Sequence, residues 1–442
     1  MGVGAAVSQG PMHSPTYPAQ TPRDPLGACA FIALGFLAIV LVRLAIPSKP
    51  MFDEIHYLPA ARNMLALTKA VNREHPLLGK EVLAASMWLL GDNPWGWRLP
   101  QALLGTIGLF AGMRAVWLAS RSAAATILFG LLLATDFTWY IQSRIAMLDM
   151  TMAACLALAL WQGIAALRSE RRGRLHLALC GIFLGLSLAA KWSAAPLLVL
   201  PGLTFAWLRW RALGKARRRG FLTARDAGPV RGVSLIEAAV WLGLVPAIVY
   251  LATFAPYFFF EQRGLHSLGE VFSLQLKMIQ LQDSVVKPHT YMSRWWEWVF
   301  NIRPIWYLYE NVDGAQRGVL LLGNPLTSLI ALPAVLWCAW RGLRGDGVKL
   351  GAALLYLFAV FFWSINGKPV QFYYHYLLAG AFAMAALALV VGEWWDKDRR
   401  WPMLVTAGGA LLFFAWFYPI ISAAQLPGKA SFKTYTWLDS WK

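Results

Sequence analysis

The chain has 442 residues, of which 58% are hydrophobic and only 14% charged, against about 25% charged in an average soluble protein. Apolar runs of about twenty residues recur from end to end, which makes it a polytopic helical membrane protein, and ten-residue alternating segments of an outer-membrane barrel are absent. The net charge of +18 lies largely in short clusters between apolar runs, a pattern of membrane topology rather than of nucleic-acid binding.

Residues 1–25 contain Pro, Ser and Thr and almost no charge, so they are expected to be a disordered cytoplasmic N-terminus. The first apolar run, 26–46, lacks a small-residue cleavage site and should stay as an anchor. Ten further spans are predicted at 98–118, 123–141, 147–167, 175–190, 194–209, 234–255, 317–340, 349–365, 372–392 and 403–423. Basic clusters fix the orientation. They are Arg168, Arg171, Arg172 and Arg174; Arg209, Arg211, Lys215, Arg217, Arg218 and Arg219; Arg341, Arg344 and Lys349; and Lys397, Arg399 and Arg400. With the N-terminus inside, all four become cytoplasmic. The transmembrane domain then runs over 26–424, and 425–442 forms an extracytoplasmic tail.

Two long loops, 47–97 and 256–316, fall outside. In the second, Leu265, Leu268, Phe272, Leu276 and Ile279 recur at helical spacing. That stripe predicts an amphipathic helix, lying on the membrane surface or packed on the spans. Trp and Tyr crowd 291–309 as in an interfacial belt. The four cysteines sit in apolar runs with no CxxC spacing, so they read as packing residues rather than a metal or disulfide framework.

Once the charges explained by topology are set aside, a polar set remains on the outer side. It comprises Asp53, Glu54, His56, Arg73, Glu74, His75, Lys80, Arg98, Arg144, Asp149, Lys191, Arg303, Lys368 and His375. Ionisable groups at a bilayer edge are costly to desolvate and mark sites where something reacts or passes. Arg144, Lys191 and Lys368 are each the sole base of a very short outer connection and need an anion, either a carboxylate or a phosphate at headgroup depth; the plain alternative is that each simply pairs with Asp136, Asp149 or a helix C-terminus. Converging cations stabilise a phosphate leaving group, and an opposing carboxylate takes the proton of an attacking hydroxyl. Asp53 and Glu54 are adjacent, so their side chains diverge: one should face the reaction and the other orient a partner. The bland alternative is a solvated pair at a helix start. His56 and His75 with Glu54 lack any metal-binding spacing, so no metal is expected.

FDEIHY (52–57), REHPLLGK (73–80), GWRLP (96–100), SRIAMLDM (143–150), AAKWSA (189–194), RPIWYLYE (303–310), GNP (323–325) and YYHYLL (373–378) occur in this order. Together they resemble the protein O-mannosyltransferase family over about 50–390. The resemblance implies an all-α GT-C membrane glycosyltransferase with eleven spans, N-terminus in and C-terminus out. It implies Asp53 as the base for a Ser or Thr hydroxyl, Glu54 as the acidic partner that helps hold the acceptor, and Arg144 at the carrier phosphate. Lys191, Arg303 and Lys368 are grouped with Arg144 as donor-binding, and His56, His75, Lys80, Arg98, Asp149 and His375 as supporting. The second long loop has no room for the β-trefoil domain of eukaryotic members, and Leu77 replaces a proline of the usual HPPLGK.

A compact bacterial-type enzyme is therefore expected in the plasma (inner) membrane, its site facing the periplasm or exterior. Its partners would be a polyprenyl-phosphate-linked sugar, an exported protein acceptor and membrane lipids, without nucleic acid; the oligomeric state stays open, a dimer included. No cofactor or divalent metal is expected, since a lipid monophosphate donor has no pyrophosphate to chelate. The alternatives are transfer of another sugar, such as aminoarabinose, to lipid A or polysaccharide, an anionic-lipid flippase, and a structural subunit of a membrane complex.

Overall fold

A computed structural model describes residues 22–214, 219–226, 228–284 and 286–442. Most of the expected N-terminal disorder, and Lys215, Arg217 and Arg218 of the second basic cluster, lie outside the described residues. In chain order α1 (Leu26–Leu41) leads to a loop holding α2 (Glu54–Leu65) and α3 (Leu78–Leu90). α4 (Pro94–Ser120), α5 (Ala123–Ala134), α6 (Phe137–Gln142), α7 (Leu148–Arg168) and α8 (Gly173–Ala190) follow. The next span is broken into α9 (Ala195–Leu198) and α10 (Leu200–Leu213). After it, α11 (Leu235–Ala239) and α12 (Val245–Ala252) are joined by a π-helical turn. The second long loop carries α13 (Leu268–Asp283), α14 (Trp295–Val299) and the strands β1 (Ile305–Val312) and β2 (Ala315–Leu321). α15 (Pro325–Leu343), α16 (Gly347–Ile365), α17 (Leu377–Trp395) and α18 (Trp401–Ile421) complete the bundle. Among the described residues eight helical segments are long and apolar enough to cross a membrane, and α1 and α5 are shorter apolar helices.

Two predicted spans change for local reasons. The span at 123–141 divides into α5 and α6 because the Asp136 side chain accepts from Trp139 N and starts a new helix. The span at 317–340 begins only at Pro325, where the Asn324 side chain caps α15. Its first residues are β2 instead. Asp313 (φ 52) and Gly314 (φ 72) form a two-residue turn that pairs Val312 with Ala315, the Asp-Gly signal of a tight hairpin. Among the described residues the fold is thus helical with one antiparallel hairpin, rather than all-α.

Small residues bring helices together where lipid offers no hydrophobic drive. A Cβ on Gly181 of α8 would lie 1.9 Å from the Trp241 carbonyl oxygen, and one on Gly185 would lie 2.6 Å from that of Pro246. Because backbone is the obstacle, Gly181→Leu is expected to destabilise by at least about 1–3 kcal/mol, the usual cost of overpacking. Thermal unfolding in detergent reads that loss as a lower midpoint.

Along α13, Val271, Leu274 and Met278 are buried, while Leu268, Phe272, Leu276 and Ile279 are exposed. The sequence stripe thus points away from the protein, except for buried Leu265. This is how a helix lying in the bilayer interface presents its apolar face.

Candidate active site

Glu54 anchors the loop that carries Asp53. It is fully buried, and Arg98 near the start of α4 grips it with Nε to Oε1 at 2.8 Å and Nη2 to Oε2 at 2.7 Å. The amides of Met51 and Ala146 donate to the same carboxylate, each at 2.9 Å. Arg98 also donates to the carbonyls of Leu44, Pro47 and Lys49. One carboxylate thereby ties α2, α4 and the turn before α7 together. Among the described residues the two carboxylates share no partner: Glu54 is fully buried, whereas Asp53 keeps partial exposure. Glu54 is fully engaged by these protein donors, and it fixes the backbone next to Asp53.

Phe52, just before Asp53, has φ 50, an uncommon conformation for a bulky residue. It is held by a stack on Tyr307 of β1 with centroids 4.2 Å apart, and Gln142 Nε2 in turn donates to Tyr307 Oη at 3.2 Å. The hairpin that replaced part of a predicted span therefore shapes the turn from which Asp53 projects. Backbone strain of this kind persists where surrounding structure over-determines it.

Asp53 lies in the field of Lys191, His56, Asp149 and Lys368. Burial pushes its carboxyl up to about 6, against the pull of Lys191. Lys191 donates to both oxygens of Asp149, at 2.8 and 2.7 Å, and its Nζ lies 4.6 Å from the Tyr374 ring centroid. Burial and then the charge of Lys191 push Lys368 down to about 8. His75 is pushed well below its ordinary range by burial, then by Lys191 and Lys368, so it is neutral at neutral pH. Its loop is pinned by Lys80, whose buried ammonium donates to the carbonyls of Asn72 (2.7 Å) and His75 (2.9 Å). His375 is buried and lines a small cavity with Asp149, Ser193, Tyr374 and Leu378. Asp53, His56, His75, Asp149, Lys191, Lys368 and His375 therefore form one electrostatic cluster.

Two expected donor-binding arginines lie elsewhere. Arg144 is buried and spends its Nη groups on the carbonyls of Val40, Val42, Arg43 and Ser422. It caps the open carbonyls at the end of α1, the helix-C-terminus alternative, though which helix end it serves depends on α1 and residue 144 meeting across about a hundred positions. Arg303 donates to the Thr290 carbonyl at 2.7 Å and braces the second loop. Sequence reasoning missed Phe52, Tyr307 and Tyr374 as members of the site wall. It also missed Asn301, whose buried amide bonds both backbone groups of Gly323 and accepts from the Tyr373 hydroxyl at 2.8 Å. Two of the motifs, GNP and YYHYLL, meet on that amide, beside a third that begins at Arg303.

A carboxylate raised to about 6 in the field of two lysine ammonium groups, at one end of a helical bundle, suits transfer of a group between hydroxyl and phosphate oxygens. The architecture is that of the GT-C membrane glycosyltransferases. It matches a chain in a structure of the Saccharomyces cerevisiae protein O-mannosyltransferase Pmt1–Pmt2 complex bound to the sugar donor, with TM-score 0.76 and 15% identity. That match covers 94% of this chain and 92% of the other. ArnT from Cupriavidus metallidurans bound to undecaprenyl phosphate also matches, with TM-score 0.57 and 18% identity over 89% of this chain and 65% of ArnT.

Residues 91–259 match the family model described as dolichyl-phosphate-mannose-protein mannosyltransferase. Residues 267–344 match the C-terminal four-transmembrane region of protein-O-mannosyltransferase, and the two together span more than half of the chain. Named relatives include the polyprenol-phosphate-mannose–protein mannosyltransferases of Mycolicibacterium smegmatis and Mycobacterium tuberculosis. The former is 27% identical over 89% of this chain and 88% of the relative; the latter is 25% identical over 89% and 87%. The chain belongs to the protein O-mannosyltransferase family and is a membrane glycosyltransferase.

Proposed function

We propose that the enzyme moves a mannosyl group from a polyprenyl-phosphate carrier to Ser or Thr hydroxyls of exported proteins, on the extracytoplasmic face of the plasma membrane. The names of the curated relatives support donor and acceptor class. The single observation that supports the chemistry is the placement of Asp53 within the electrostatic field of Lys191 and Lys368. The family match begins at residue 91, beyond Asp53, so its role as base rests on that placement.

In this mechanism the Asp53 carboxylate takes the hydroxyl proton as the acceptor oxygen bonds to the anomeric carbon. The bond from that carbon to the phosphate oxygen breaks and leaves its electron pair on the phosphate. Attack opposite the leaving group inverts the centre, so a β-linked mannosyl phosphate yields an α-mannoside. Lys191, oriented by Asp149, and Lys368 offset the charge gathering on the phosphate. A monophosphate leaving group opposed by two ammonium groups needs no divalent ion or other cofactor.

Lys368→Gln is expected to raise KM for the lipid donor about tenfold to a hundredfold, the worth of one charged hydrogen bond. KM for a Ser/Thr peptide should stay within about twofold. Steady-state kinetics with synthetic polyprenyl-phosphate mannose measures both, and an unchanged donor KM would remove Lys368 from the phosphate. The proposal itself is tested by incubating purified enzyme with labelled polyprenyl-phosphate mannose and an unfolded Ser/Thr-rich peptide. Label on the peptide supports it. Label delivered only to lipid or polysaccharide, or lipid translocated without consumption of the sugar, refutes it.

A further inference from the structure

We infer that the enzyme holds an anionic phospholipid at the membrane face opposite its reaction site, with the headgroup against Arg225 and Arg231 and an acyl chain in the bundle. Two adjoining cavities carry this. One, of about 710 Å³, is almost wholly apolar and runs between α7, α10, α16 and α17, lined by Ile164, Trp207, Leu208, Gly351, Leu355 and Leu389. Its volume falls in the range of about 300–1,000 Å³ usual for ligand pockets. The other, of about 830 Å³, is open, with a lining mixed between polar and apolar, and shares Leu167, Arg168, Gly228 and Pro229 with the first. An apolar slot ending in a charged mouth matches an amphiphile, tail inward and head outward.

The mouth lies far from the reaction. Asp149 stands at the first turn of α7 and Arg168 is its last residue; twenty-one residues of helix span roughly 30 Å, about the thickness of the bilayer hydrocarbon. The mouth is therefore at the other membrane surface, the cytoplasmic one in the orientation proposed above. Arg168 donates Nε and Nη2 to the carbonyls of Leu118 and Ala119, each at 3.0 Å, and is a fixed wall. Arg225 and Arg231 are exposed and make no hydrogen bond or ion pair among the described residues, although the charge of Arg225 reaches Glu237. Glu170 and Asp226 also line the mouth, and Asp226 faces the charge of Arg209. The two open guanidiniums suit a phosphodiester beside them. Because the slot itself is nearly devoid of polar groups, it offers a phosphate no path through the bundle.

The occupant is a bilayer phospholipid rather than the sugar carrier, and the inference does not depend on the reaction proposed above. Full-length enzyme is placed in nanodiscs of phosphatidylcholine doped with phosphatidylglycerol, and native mass spectrometry reads the lipid retained on release. Phosphatidylglycerol should be retained in preference to phosphatidylcholine. Arg225→Gln with Arg231→Gln should weaken retention about thirtyfold, from the usual attraction of two basic residues to anionic lipid. Gly351→Leu should abolish it from the apolar side, since a Cβ built there meets nothing within 4 Å and the bundle has no reason to misfold. Asp53→Asn should retain lipid as the wild type does, which separates this site from the transfer reaction. Equal retention of the two phospholipids, indifference to the arginine pair, or displacement of phosphatidylglycerol by added polyprenyl phosphate would each overturn the inference.

Discussion

Asp53→Asn is expected to lower kcat by about 10²–10⁴, the usual worth of a positioned general base, while the protein stays folded. The amide keeps the size of the carboxyl but cannot accept the acceptor's proton. The pH profile should carry the same signature. With Asp53 raised to about 6, the base is ionised only above that value, so activity should climb as pH rises through about 6. Lys368, lowered to about 8, loses its charge above that value, so donor use should weaken as pH rises further. A bell with limbs near 6 and 8 is therefore expected in kcat/KM for the wild type. The acid limb should vanish from any residual activity of Asp53→Asn, and the alkaline limb from Lys368→Gln. A flat profile between about pH 5 and 7 would remove Asp53 as base.

The same shift sets the sign for stability. Asp53 holds its proton to a higher pH folded than unfolded, so the folded state binds more protons between about pH 4 and 6, and stability falls as pH rises through that window. Above it, the desolvated carboxylate costs roughly 3 kcal/mol. Asp53→Asn escapes this cost and should unfold at a higher temperature than the wild type at about pH 7, with the difference gone near about pH 4. A loss of activity joined to a gain in stability is what separates a functional carboxylate from a structural one.

The second large effect is at Arg98. Arg98→Met leaves the fully buried Glu54 carboxylate without its strongest partner, and breaking such a pair costs about 3–5 kcal/mol. Glu54→Gln should cost less, because the amide keeps an acceptor oxygen and Arg98 keeps its three carbonyl partners. Arg98→Lys should not rescue, since one ammonium cannot replace a fork that serves both carboxylate oxygens and three carbonyls. Thermal inactivation in detergent ranks the three. Equal midpoints for wild type and Arg98→Met would show that the pair carries no stability and would undo the anchoring role of Glu54.

Much of the site was legible because chemistry is local in kind. Buried charge in an apolar chain is rare, so Asp53, His75, Asp149, Lys191 and Lys368 stood out against their own segments. The different surroundings of Asp53 and Glu54 were readable as well, since adjacent side chains must diverge. Arg144 was not readable. A lone arginine between two spans looks the same whether it waits for a phosphate or closes a distant helix end, and only the position of α1 distinguishes the two. Tyr307 was hidden for another reason: apolar residues 317–321 continue into a real helix at Pro325, and hydropathy does not register the Asp313–Gly314 turn that sends them back as a strand.

Membrane class, the rough placement of the apolar segments and the inventory of charges near the span ends are written in composition and periodicity. They can be read there because a bilayer admits only segments that satisfy their own backbone. Which of those charges are free and which are spent emerged only on folding. Hydrogen-bond partners such as Arg98 with Glu54 and Arg144 with the end of α1 join residues 44 to 104 positions apart, and a guanidinium whose donors are all engaged by protein acceptors is no longer available to a substrate.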